Sequence, residues 1–166
     1  SLDANGGDVT IALDVSGLGS VLSGTTGMDI FADSLSITNG CNGIGANGHP
    51  LTFNANDLTT DTSSGNGSQF LSEVDSVSVS GLSAGTGTVR LDSGTFQTSD
   101  AGVIENATSL SLGHQATLDL NDNDETISAL MLEIGSGSGA TVLTGSGTLT
   151  LGGNVTLTAI NQGEVG

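Results

Sequence analysis

The sequence contains no tryptophan, no tyrosine and no lysine, and only one cysteine (Cys41), one proline (Pro50) and one arginine (Arg90) among 166 residues. Each absence excludes something. With four phenylalanines as the only aromatics (Phe31, Phe53, Phe70, Phe96), the core cannot rest on large aromatic side chains. The same shortage leaves no aromatic platform on which a sugar ring would stack. A lone cysteine rules out an intrachain disulfide framework, and Cys41 reads as a small buried hydrophobe or, alternatively, as a reactive or intermolecular thiol. No apolar run reaches transmembrane length, so no membrane insertion is expected. One cation stands against 18 acids, for a formal net charge of −17. Such a chain cannot neutralise phosphates, which excludes nucleic acid as a partner, and it is repelled by anionic membrane surfaces. It also repels its own copies at low ionic strength. The chain opens on Ser1 in mid-pattern, without an initiating Met or a signal peptide, and is therefore expected to be a segment of something longer.

What is present is small and patterned. Glycine contributes 27 residues, and serine plus threonine 43. Short words with Val, Ile or Leu at every second position run along the whole chain. They include VTIALDV (9–15), DSLSIT (33–38), DSVSVS (75–80), TVRL (88–91), TSLSL (108–112), TLDL (117–120), ATVL (140–143), TLTL (148–151) and VTLT (155–158). That period is the signature of strands with one buried face, and flexible linkers do not maintain it. Gly/Asn/Asp/Ser corners such as NGG, SGNGS, NDND and GSGSG separate the words. ETISALMLE (125–133) is the one stretch with some helical character, and its spacing suits a strand equally well. The words SEVDSVSVSG (72–81) and ENATSLSLG (105–113) align through Ser76 and Ser109, with FADSLSITNG (31–40) a looser copy aligned at Ser34. Irregular repeats of this size point to a solenoid, propeller or array. A propeller calls for a stronger periodic signature, and a sandwich for a bulkier core. A β-solenoid needs only small and branched aliphatic residues inside and Gly/Asn/Asp at its corners. The expected fold is therefore all-β: a single parallel β-solenoid over 1–166 with irregular rungs and variable loops. A β-sandwich is the alternative. GSGTLTLGGNVTLTA (145–159) is the local form of that choice, since Gly152-Gly153-Asn154 closes a hairpin in one case and turns a corner in the other. The longest Gly/Asn-rich insertion, TNGCNGIGANGH (38–49), is expected to project from the column.

The words NDNDETISAL (121–130) and TGSGTLTLGGN (144–154) resemble the β-strand repeats of autotransporter passengers and filamentous-haemagglutinin-like bacterial surface proteins. EVDSVSVSGL (73–82) and IENATSLSLG (104–113) are similar to repeats of very large secreted adhesins and S-layer-like proteins. The resemblance covers about the last 95 residues well. It implies a right-handed β-helix exported to the cell surface, and it assigns no active site.

DLNDNDE (119–125) is the densest acidic cluster. Asp119, Asn121, Asp122, Asn123, Asp124 and Glu125 alternate as oxygen ligands do in a calcium loop, and are the candidate calcium corner. Their spacing departs from the EF-hand rule: the sixth position is Asp124 rather than Gly, and the twelfth is Leu130 rather than Glu. A solvated Asn/Asp corner is the plainer reading. Asp122 and Asp124 could also supply the paired carboxylates of a polysaccharide-degrading β-helix enzyme. A polyanionic substrate would be repelled, however, and His49 and His114, which read as turn residues, complete no known pattern. Arg90 is expected to point outward and pair with Asp92 or with a carboxylate one turn away. The sequons at Asn66, Asn106 and Asn154 are no more frequent than chance composition gives. The expected function is a non-catalytic extracellular structural or adhesive segment of a secreted surface protein. It would form a fibre or surface layer, with its own copies or flanking repeats as partners. A calcium-dependent adhesin or a carbohydrate-binding module is the alternative, and a polysaccharide-degrading enzyme is a remote one.

Overall fold

The computed structural model describes residues 1–13, 21, 27–40 and 42–160. Cys41, whose two readings were given above, lies outside the described residues. Among the described residues twelve strands follow one another: β1 (Leu2–Asp3), β2 (Val9–Leu13), β3 (Ile30–Asn39), β4 (Leu51–Asp61), β5 (Gln69–Ser83), β6 (Thr88–Thr98), β7 (Ser109–Asp119), β8 (Glu125–Ile127), β9 (Ala129–Ile134), β10 (Thr141–Leu143), β11 (Leu149–Leu151) and β12 (Val155–Ala159). Every ladder between these strands is parallel, and two isolated antiparallel bridges, Ala46–His49 and Ile134–Gly139, close turns. The main sheet runs β1-β3-β4-β5-β6-β7-β9-β12, with β2 beside β3 and β10 beside β7, while β8 and β11 form a second sheet. The chain is a parallel β-solenoid of about six turns. The stretch 125–133 is strand rather than helix, split into β8 and β9 at Ser128.

Each turn has three sides. In one turn, β7 supplies two of them, and β8 the third. Then β9 stacks on the start of β7, β10 on its end and β11 on β8. Gly152-Gly153-Asn154 is therefore a corner: β11 pairs with β8 and β12 with β9, never with each other. Stacked residues lie roughly one turn apart in sequence, as with Ile30 and Phe53, Gln69 and Val89, and Leu130 and Val155. The variation is absorbed by corners and by register shifts within β4–β7. This differs from the sequence alignment, because Ser76 stacks on Thr95 whereas Ser109 stacks on Thr88, on another side of the coil.

The inward positions form continuous columns. Leu51, Leu71, Leu91, Leu112, Leu132 and Leu157 stack one on the next through six successive turns. Beside them run Val77, Phe96, Leu118 and Val142. From Leu51 to Leu112 the leucines are completely enclosed, but Leu157 on the final described strand is 65% exposed. Enclosing one such side chain stabilises by about 1.5–3 kcal/mol, so the middle turns carry the stability. Phe53 and Phe96, both fully buried, meet edge to face at 6.3 Å, filling the core there without Trp or Tyr. Within 38–49, Asn39 and Ile44 are buried, and Ile44 bridges Val21 below and Gln69 above. Among the described residues of that stretch, Thr38 and the tip, Asn47, Gly48 and His49, are exposed.

Candidate functional site

The acidic segment 119–125 occupies the corner between β7 and β8. Two residues there, Asn121 and Asp122, have left-handed backbone (φ 49° and 66°), which Asn and Asp tolerate best among residues bearing a side chain. Asp119 Oδ1 accepts the Asn121 N–H at 2.9 Å, and its Oδ2 accepts from Gln97 Nε2 at 3.1 Å. Asp122 Oδ1 accepts the Ser146 N–H at 2.7 Å and the Ser146 hydroxyl at 3.1 Å. Those donors hold its carboxyl below the usual carboxylate range. Asp124 Oδ1 accepts the Thr148 N–H at 2.8 Å. In the opposite direction, Asn121 and Asn123 both donate side-chain N–H groups to the Thr98 carbonyl. Glu125 is buried and receives the Val103 N–H at 3.0 Å and the Ile104 N–H at 3.3 Å. Burial pushes its carboxyl upward, against the pull of those bonds.

The six residues are neighbours in sequence whose oxygens face different ways. Asp122 and Asp124 reach the following turn, while Glu125 and the two asparagines reach the preceding one. Among the described residues, no three His, Cys, Asp or Glu side chains gather as a metal-holding group. What the corner does chemically is accept backbone N–H groups that the strand ladders leave over at the bends, a requirement for any buried backbone. Gly147 packs on it so closely that a Cβ there would run into the Asn123 carbonyl. The same device recurs elsewhere. Asp29 Oδ2 accepts the Thr52 N–H at 2.9 Å, Glu105 Oε2 the Gly85 N–H at 2.7 Å, and Asn66 Oδ1 the Thr86 N–H at 2.9 Å.

A second cluster surrounds the lone cation. Arg90 Nε donates to Asp92 Oδ1 at 2.6 Å, as the sequence led one to expect. Its two terminal nitrogens form a fork onto Glu133, at 2.7 and 2.8 Å. Glu133 lies two turns away, not one: Arg90 stacks on Ser111, Ser111 on Met131 of the same strand as Glu133, and the guanidinium reaches past Ser111 to it. The fork raises the Arg90 pKa and lowers that of Glu133. His114 contributes to the lowering, and it lies within β7, half-buried beside Glu133, rather than in a turn. His49 is exposed at the tip of 46–49, far from it in the chain. Compared with family models, with curated proteins and with solved structures, the chain matches none.

Glu73 escaped the sequence reading. It is 1% exposed, stacks on Phe53, and has one oxygen, Oε2, without a hydrogen-bond partner among the described residues. Its other oxygen accepts the Asp75 N–H at 3.4 Å. Burial, with a small addition from Asp75, raises its pKa from 4.5 to about 7. A signal was available, since Glu73 shares the inward parity of Leu71, Val77 and Val79. Glu125 shares that of Ile127 in the same way.

Proposed function

We propose that the chain is a non-catalytic structural segment of a secreted surface protein, working as a stiff column that continues turn upon turn. The observation that supports this reading is the leucine column, closed in the middle and open at β12. There, Val155 and Leu157 stand more than half exposed above a strand whose only described ladder partner is β9. A strand with an open edge and an uncovered core residue is a template for another parallel strand. The next rung is supplied by flanking chain or by a second copy. The abundant carboxylates suit this role, because they hold corners together and leave a strongly anionic exterior that discourages lateral clumping.

Negative-stain imaging and sedimentation of the chain, and of a tandem fusion of two copies, at about 0.15 M salt provide the test. Rods whose length grows with the number of turns, or end-to-end assemblies of the segment, are expected. Free globular particles that neither elongate nor associate at high concentration would sink the reading. Repeating the measurement with calcium and then with chelator separates plain stacking, which is indifferent to both, from a calcium-dependent adhesin.

A further inference from the structure

The middle of β5 is where the coil is least regular. Opposite β6, Ser72 pairs with Ser93 and the next pair is Ser76 with Thr95, so Glu73, Val74 and Asp75 together face Gly94 alone. Opposite β4 the register also slips between Phe53 and Asp57. These three residues therefore form a bulge that neither neighbouring strand fully pairs. Val74 at its crest is 57% exposed, whereas Glu73 beside it is sealed inside. The Glu73 socket is tight on both sides. Phe53 lies beneath it in the adjacent turn, and Gly94 above it has left-handed backbone (φ +88°) and sits so near that a Cβ would come within 2.7 Å of the Glu73 Cβ. Ser93 Oγ donates to the Glu73 carbonyl at 3.1 Å, which holds the backbone but leaves the carboxyl alone.

We propose that Glu73 is a proton-operated catch for this bulge: the neutral carboxyl stays seated under Gly94, and loss of its proton expels it and opens residues 73–76. The charge balance of the socket supports this. Among the described residues, the titratable group that faces Glu73 is Asp75 on its own strand, and a negative Asp75 opposes ionisation. From β4 the neighbours are Phe53 and Asn54, whose amide points to Asp75 (3.5 Å), and from β6 they are Ser93 and Gly94. Arg90, the one guanidinium, is committed to Asp92 and Glu133. An ionised Glu73 thus has no counter-charge, the Asp75 and Val74 N–H groups as its donors, which burial outweighs, one oxygen without a donor, and a bulge unpaired toward β6 as its way out. Burying such a carboxylate costs more than opening a short segment that the ladders already leave slack.

Hydrogen exchange read by mass spectrometry, corrected for intrinsic rates, tests this between about pH 6 and about pH 8.5. Peptides covering 72–77 are expected to lose protection about tenfold or more at the higher pH, while peptides covering 108–119 hold theirs. Glu73→Gln, which cannot ionise, is expected to keep 72–77 protected at both. Unchanged protection in the natural chain, or the same loss in the Gln variant, would overturn the proposal. Should the variant not fold, the carboxyl carbon resonance of Glu73 in the natural chain decides. Titration near neutrality supports the catch, and titration below about pH 5 refutes it. Neither result depends on whether the column assembles.

Discussion

Glu125, Asp122, Asp124, Glu105 and Asp29 all do with a carboxylate what backbone carbonyls do inside a strand: they accept N–H groups at the bends. This explains how 18 acids and one base coexist in a packed chain. Among the described residues, ion pairing accounts for one cluster, Arg90 with Asp92 and Glu133, and hydrogen bonding accounts for much of the rest. The pH dependence follows with opposite signs. Asp122 and Glu133 have lowered pKa values, so their contributions are present above the ordinary carboxylate range and are lost as the pH falls through it. Glu73 has a raised value, so its contribution is full below 4.5 and is lost as the pH rises through about 7. Thermal unfolding should therefore be most resistant at the lower limit, just above the ordinary carboxylate range, and should weaken from there toward pH 7. Raising the pH from 4.5 to about 7 should cost about 3 kcal/mol, with little further loss above, and Glu73→Gln should remove most of that slope. A melting temperature that keeps rising to pH 9 would contradict the assignment. Gly94→Ala adds a methyl against Glu73 at a positive φ, and should destabilise by about 2 kcal/mol or more in chemical denaturation. Arg90→Ala strands Glu133 among like charges and should cost about 2 kcal/mol. A loss within experimental error would mean that the fork is decorative.

At the scale of the strand, position along the column sets the value of a residue. Leu91 and Leu157 belong to one ladder and have one chemistry, yet Leu91 is enclosed and Leu157 is mostly in solvent. Leu91→Ala should cost about 3–4 kcal/mol, and Leu157→Ala less than about 1, both measured by denaturant titration. Equal costs would mean that Leu157 is covered in solution. Strand identity and inward parity were readable from alternation, and words such as TLTL and VTLT ended up as β11 and β12. The stacking partners were not readable. The Ser76/Ser109 alignment matched words on different sides of the coil, because every side uses the same alternating vocabulary. Variable corners erase the fixed period that would have separated the sides. Glu73 was passed over and Glu125 was read as a member of the candidate calcium corner, although the parity of both places them inside. The acidic corner at 119–125 was located correctly as a dense cluster, but alternation along a chain does not tell which way an oxygen faces. Glu133 was hidden from Arg90 by two turns of intervening chain.

For the molecule as a whole, parallel stacking combined with a net charge of −17 makes stability a matter of ionic strength. Each turn brings its acids close to those of the next, so screening by salt should raise the unfolding midpoint steadily from about 0.02 to about 0.5 M. A flat or falling response would show that the carboxylates are already neutralised by their hydrogen bonds. The leucine column has a further property. It is degenerate: a slide by one whole turn sets leucine on leucine again, so this ladder by itself cannot tell neighbouring turns apart. Arg90 can. It occurs once, and its fork reaches Glu133 only when two particular turns lie above it in the right order. A chain threaded one turn out of step would leave its only guanidinium with the wrong neighbours. The clamp is thus an index mark, a single indentation by which an otherwise self-similar coil keeps count.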